Sequence, residues 1–165
     1  MTFKFLNKNF YINLSLIFLI FISDRLSKFY IINESAKNLG NFILETNYLN
    51  IRLIWNEGIA FGLLSFNSRF FYNSLSILIL VIILIVLYMI TQSNGLKKYS
   101  LILIFSGALG NFYDRIFYQA VPDFIDFHIN NFHWFIFNLA DIYITLGVLF
   151  MIVLEIFDRN NYEKN

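Results

Sequence analysis

At 165 residues the chain has room for one domain, but 58% hydrophobic and 20% aromatic residues with a mean hydropathy of +0.63 exclude an ordinary soluble one. A formal net charge of +1 leaves no electrostatic footprint for nucleic acid, and no nucleic-acid partner is expected. With no cysteine, disulfides, thiolate metal sites, cysteine nucleophiles and lipid modification of the chain's own cysteine are excluded together.

Four apolar spans follow in chain order, at about 10–30, 70–90, 99–118 and 137–157. Each has about 20 residues, enough at ~1.5 Å per residue to reach ~30 Å, the thickness of a hydrocarbon core. The first has the basic start and apolar middle of a signal peptide, but "DRLSKFYII" follows it without a small-x-small cleavage pattern, so it reads as a retained span. Lys4 and Lys8 precede that span, Lys97 and Lys98 fill the turn between spans two and three, and Arg159 and Lys164 follow the fourth. This places both termini and the middle turn in the cytoplasm, although Lys37, Arg52 and Arg69 fall in the long outer loop. The expected architecture is an all-α membrane protein, a single integral domain over 1–165 with an extracytoplasmic segment at 33–69. Within that segment Leu49, Ile51, Leu53 and Trp55 alternate, which predicts a strand over the membrane surface, followed by the Gly58 to Gly62 turn.

The polar residues fall in a pattern. Gly107, Gly110, Asn111 and Asp114 form a stripe on the third span, and Asn138, Asp141 and Thr145 form one on the fourth. Each helix thus offers an amide and a carboxylate three residues apart. By helical rise Asp114 and Asp141 lie ~6 Å below the outer surface and Asp24 ~9 Å. Pro122 breaks any helix between the last two spans and returns Asp123 to that level. A carboxylate in mid-membrane costs about 2.5 to 3.5 kcal/mol, so such residues face a partner or a cavity. Asp24 and Lys28 have the spacing of a helix ion pair, and Asp114 has Arg115 beside it and Asn111 one turn back. Asp123 and Asp141 have no adjacent cation.

Two carboxylates within hydrogen-bond reach share one proton, leaving a base to activate water and an acid to protonate the scissile group. Other protease chemistries fit poorly. There is no HExxH, and His128 and His133, five apart in an expected loop, read as interfacial residues and not metal ligands. Ser27 and Lys28 are adjacent and diverge on a helix, which argues against a Ser–Lys dyad.

"DRLSK" at 24–28, "NEGIAFG" at 56–62, "GNFYDR" at 110–115, "VPDFIDF" at 121–127 and "FNLAD" at 137–141 together resemble the ordered motifs of lipoprotein signal peptidase, or signal peptidase II. The resemblance runs from the first span through Gly147. It implies a four-helix aspartyl endopeptidase of the bacterial inner membrane with a small extracytoplasmic β-cradle and an active site near the outer face. Its substrates would be diacylglyceryl-modified prolipoproteins, cut just before the lipidated cysteine, with membrane lipids around a monomer and no metal or other cofactor. By motif, Asp123 and Asp141 become the catalytic pair, and Asp24, Lys28, Asn56, Gly58, Asn111, Asp114, Arg115, Asn138 and Ala140 support it or bind substrate. Depth alone favours Asp114 as the partner of Asp141; flanking charge and the motif favour Asp123. The segment from Trp55 to Leu64 is expected to close as a lid. Arg25, Gln119, Pro122 and Ile136 depart from the pattern, which usually has Gln or another polar residue, Gly, Val and Pro there. The rival reading is a small proton-coupled transporter or channel subunit, disfavoured because acidic groups are nearly absent from the cytoplasmic halves of the spans.

Overall fold

The structure, a computed structural model, describes residues 8–58, 69–130 and 132–162. In chain order it contains α1 (Lys8–Lys37), β1 (Leu44–Glu45), β2 (Leu49–Asn56), α2 (Arg69–Gln92), α3 (Gly95–Tyr118), β3 (Val121–Ile129), β4 (Phe132–Phe137) and α4 (Leu139–Tyr162). The molecule is mostly helical with one small antiparallel sheet of order β1-β2-β3-β4.

Helix α3 is central, packing against α1, α2 and α4. Its seam with α2 is apolar: Ile83, Val86 and Ile90 meet Leu101, Ile102 and Phe105. Its seam with α4 depends on missing side chains. A Cβ on Gly107 would lie 2.5 Å from the Ala140 carbonyl oxygen, and one on Gly147 would lie 2.7 Å from that of Ser100. Small residues there let the two backbones approach closely. The outer faces of α2 and α4 expose residues such as Leu78, Ile85, Leu149 and Phe157, while Asp24, Asp114 and Asn138 are fully buried. That inversion of the soluble pattern suits a lipid solvent. Among the described residues, Tyr72–Gln92 and Leu139–Asp158 are long and apolar enough to cross a membrane. Helices α1 and α3 carry charged residues near their middles and ends instead.

Several expected boundaries move. Helix α1 continues past Tyr30 to Lys37, because the polar stretch "INESAK" lacks apolar character but not helix propensity. Asp24 therefore lies nearer the middle of its helix than span length predicts. The strand expected at 49–55 is present as β2, but the sheet is not confined to 33–69. Half its strands come from the β3–β4 hairpin after α3, where a loop was expected. Pro122 is accommodated because β4 pairs with β3 only from Ile125 onward, leaving β3 with β2 alone beside it at Trp55↔Pro122. The turn from α3 into β3 passes through Gln119 in the left-handed region, φ 57°. Of the residues singled out by sequence, Lys4, Gly62, Lys164 and the lid from Ile59 to Leu64 lie outside the described residues.

Candidate active site

The site is assembled where β3, the start of α4 and the facing turns of α1 and α3 converge. Asn138 is the hinge of the arrangement. It follows β4 and caps α4: its backbone N–H donates to Asp141 Oδ2 at 3.0 Å, and its own Oδ1 accepts from the Asp141 N–H at 3.2 Å. This is a reciprocal capping box, with an aspartate at the third helical position. The amide nitrogen of the same Asn138 donates to Asp123 Oδ1 at 2.6 Å. One fully buried asparagine thus binds both carboxylates.

Each carboxylate has one further amide donor. Asn56, at the end of β2, donates to Asp123 Oδ2 at 2.8 Å, and Asn111 on α3 donates to Asp141 Oδ1 at 2.8 Å. The Asn56 side chain also accepts the Gly58 N–H at 3.0 Å, fixing which end of the amide faces Asp123. Asn111 is fixed similarly, because its Oδ1 accepts from Lys28 Nζ at 2.8 Å. Burial raises the pKa of Asp123 to about 6, and the neighbouring charge of Asp141 adds to this; the two amide bonds and Lys28 oppose it.

Behind this pair lies a neutral charge cluster of two carboxylates and two cations. Lys28 Nζ lies 2.7 Å from Asp114 Oδ2 and 3.0 Å from Asp24 Oδ1. Arg25 spans the same two acids: Nη2 is 2.5 Å from Asp24 Oδ2 and 2.9 Å from Asp114 Oδ2, and Nη1 pairs with Asp114 Oδ1. Its guanidinium lies 4.8 Å from the Tyr113 ring centre and 5.6 Å from that of Phe21. Asp24 also accepts the Ala140 N–H at 3.1 Å, satisfying a free donor in the first turn of α4 from another helix. Gly110 makes room for that carboxylate: a Cβ there would meet Asp24 Oδ2 at 2.6 Å.

With this geometry in view, the comparisons decide the family. The profile described as signal peptidase (SPase) II matches residues 16–157. The chain belongs to the signal peptidase II family. It is 49% identical over 160 residues to a lipoprotein signal peptidase of Pelagibacter ubique, covering 96% of each chain. It is 38% identical over 163 residues to one of Staphylococcus haemolyticus, covering 96% of this chain and all of that one. A solved bacterial membrane enzyme is similar to it with a TM-score of 0.74 at 32% identity, over 90% of each chain.

In this signal peptidase II, the residues read from sequence fall into two connected groups. Asn56, Asn111, Asn138, Asp123 and Asp141 form the amide–carboxylate network, while Asp24, Lys28 and Asp114 form the cluster that supports it, with the Ala140 N–H attached to Asp24. Arg115 does not pair with Asp114 as its adjacency predicts. Neighbouring positions on a helix point about 100° apart, and Arg115 turns instead to the Gly58 carbonyl at 2.6 Å. Its buried Nε and Nη1 have no hydrogen-bond partner among the described residues. Arg25 was legible only as a departure, since nothing in the sequence near it signals the reach to Asp114. Ser27 donates to the Asp24 carbonyl at 2.8 Å within its own helix. Nor are His128 and His133 in a loop: they face each other across β3 and β4.

Proposed function

We propose that Asp123 and Asp141 are the catalytic pair with which this chain cuts prolipoproteins before a diacylglyceryl-modified cysteine. Membership of the signal peptidase II family makes the chain a peptidase that removes signal peptides from prolipoproteins, and it sets aside the proton-coupled transporter. The choice of pair rests on one observation, that Asn138 donates to both carboxylates from its side chain and its backbone. Asp114, favoured by depth alone, is instead enclosed by Arg25 and Lys28. Its charge is thereby balanced by two cations.

Water attacks the scissile carbonyl as one ionised carboxylate takes its proton. The other, protonated, carboxylic acid gives its proton to the carbonyl oxygen. Collapse of the gem-diol intermediate breaks the C–N bond: the proton held by the base passes to the leaving amine, and one hydroxyl proton returns to the carboxylate that had protonated the carbonyl, restoring the singly protonated pair. Asp123, with its pKa at about 6, is suited to hold the shared proton. Asn56, Asn111 and Asn138 fix the carboxylates before substrate arrives, and the Arg115 donors that have no partner among the described residues are suited to substrate carbonyls.

The same reading gives four membrane crossings within one integral domain, with both termini cytoplasmic and the site toward the outer face. The apolar windows in α2 and α4 support two of them. For α1 and α3 the support is charge balance: Asp24, Arg25, Lys28 and Asp114 cancel inside the helix bundle and present no net charge to lipid. Such a protein sits in the bacterial inner membrane and acts as a monomer, admitting the lipidated signal helix sideways.

The deciding experiment measures cleavage of a diacylglyceryl-modified prolipoprotein by the purified chain in lipid, with Asp123→Asn, Asp141→Asn and Asp114→Asn made separately. Folded but inert Asp123 and Asp141 variants are expected. Retention of activity in either one overturns the assignment.

A further inference from the structure

Away from the amide–carboxylate network, Asp126, His128 and His133 converge on the β3–β4 hairpin. His128 and His133 are paired in register across the two strands, and their rings stack with centroids 5.0 Å apart and planes 18° apart. Asp126 is fully buried, and both its oxygens lie 3.0 Å from the same atom, His133 Nδ1. One N–H shared between two oxygens satisfies a buried carboxylate poorly, and among the described residues its side chain has no other hydrogen-bond partner. His128 Nδ1 is buried and has no partner among the described residues either. One donor atom from each of the three residues lies within 4.8 Å of the others.

We propose that these residues bind a divalent transition-metal ion, with Zn²⁺ the best match. Two imidazole nitrogens and one carboxylate oxygen, without sulfur, form a three-ligand set that leaves a fourth position for water. Bonds of about 2.0–2.2 Å in a tetrahedral set put donors roughly 3.3–3.6 Å apart. The His133–Asp126 spacing is already below this, and the remaining separation closes by side-chain torsion. His133 is half-exposed at 48%, which gives an ion a path to a carboxylate that is itself sealed from solvent. The ion supplies the charge that Asp126 lacks and ties β3 to β4 where their register shifts, between Asp126 and His128. It is a clamp on the hairpin, since β3 carries Asp123 and β4 leads into Asn138. The site stands independently of the catalytic assignment.

Asp126, His128 and His133 include both histidines of the chain, so any histidine chemistry reports on this site. The test uses the untagged full-length protein in detergent, with Zn²⁺ as the probe. Calorimetric titration is expected to give one ion per chain with a Kd of about 10 µM or tighter, weakened at least about tenfold by His128→Gln or His133→Gln. In the wild-type protein, saturating Zn²⁺ should slow modification of histidine by diethyl pyrocarbonate about tenfold or more, a readout that does not depend on any variant folding. Unchanged modification rates, or equal Zn²⁺ binding by the double His128→Gln/His133→Gln protein, overturn the proposal.

Discussion

Replacing Lys28 by methionine keeps nearly the same length and volume but removes the ammonium group that holds three partners together. Lys28 is 2% exposed and contacts Asp24, Asp114 and Asn111 at 3.0, 2.7 and 2.8 Å. Without it, two fully buried carboxylates are left with Arg25 as their one cation among the described residues, and Asn111 Oδ1 loses its donor. Removing one partner from a buried ion pair costs about 3–5 kcal/mol, because an uncompensated charge stays behind. That corresponds to a drop of roughly two to three and a half orders of magnitude in the folding equilibrium. Reversible unfolding in mixed micelles measures this directly, with helicity as the signal. Cleavage activity of the remaining folded fraction should also fall, since a free Asn111 amide can turn its oxygen toward Asp141. The double variant Lys28→Met/Asp24→Asn restores neutrality and should recover at least half of the lost stability. A single variant within about 1 kcal/mol of wild type would refute the view that this cluster is a tightly coupled unit.

The raised pKa of Asp123 sets a pH dependence: the folded protein holds this proton up to about 6 while the unfolded chain releases it near 3.8. Stability from this group is therefore full below about 3.8 and lost as pH rises through about 6, a change of roughly 3 kcal/mol that Asp123→Asn should abolish in pH-resolved unfolding. In kcat/KM the same ionisation of the pair should appear as an alkaline limb near 6. Gln119 occupies a left-handed position, where glycine is unstrained. Gln119→Gly is expected to raise stability by about 1 kcal/mol in denaturant midpoints, and a loss would contradict that reading. Gly107→Ala should destabilise by about 1–3 kcal/mol and reduce kcat, because the new Cβ meets the Ala140 carbonyl at 2.5 Å and Ile144 Cγ1 at 2.9 Å. Wild-type thermal stability and turnover in that variant would show that the α3–α4 seam yields easily.

Much of the site was legible because its chemistry has local spacing. Asn138 and Asp141 are three apart, the separation a capping box needs, and the alternating apolar residues before Asn56 announce β2. What was not legible depended on direction and distance. Asp114 and Arg115 are neighbours in sequence and turn to different partners, Lys28 with Arg25 and Gly58. The reach of Arg25 across to α3 has no sequence signal, and the hairpin was obscured by Pro122, which deters a strand assignment unless one edge is known to be free. The meeting of Asp126 with two histidines follows from β3–β4 register, which spacing along the chain does not reveal.

The capping box has a consequence for how the protein sits in bilayers of different thickness. The first turn of α4 is held by Asn138, which follows β4, and by Asp24 from α1, while toward its opposite end Glu155 and Asp158 make exposed ion pairs with Lys97 of α3. The apolar stretch Leu139–Asp158 reaches about 30 Å at helical rise, close to an average hydrocarbon core. When lipid length changes, tilt and mismatch are absorbed toward the Asp158 end, because exposed ion pairs yield at little cost whereas moving the Leu139 end would break buried bonds. With the proposed topology, Asp141 would then keep its depth beneath the outer headgroups, and the scissile bond of a lipid-anchored substrate, whose own depth is set from those headgroups, would stay in register with it.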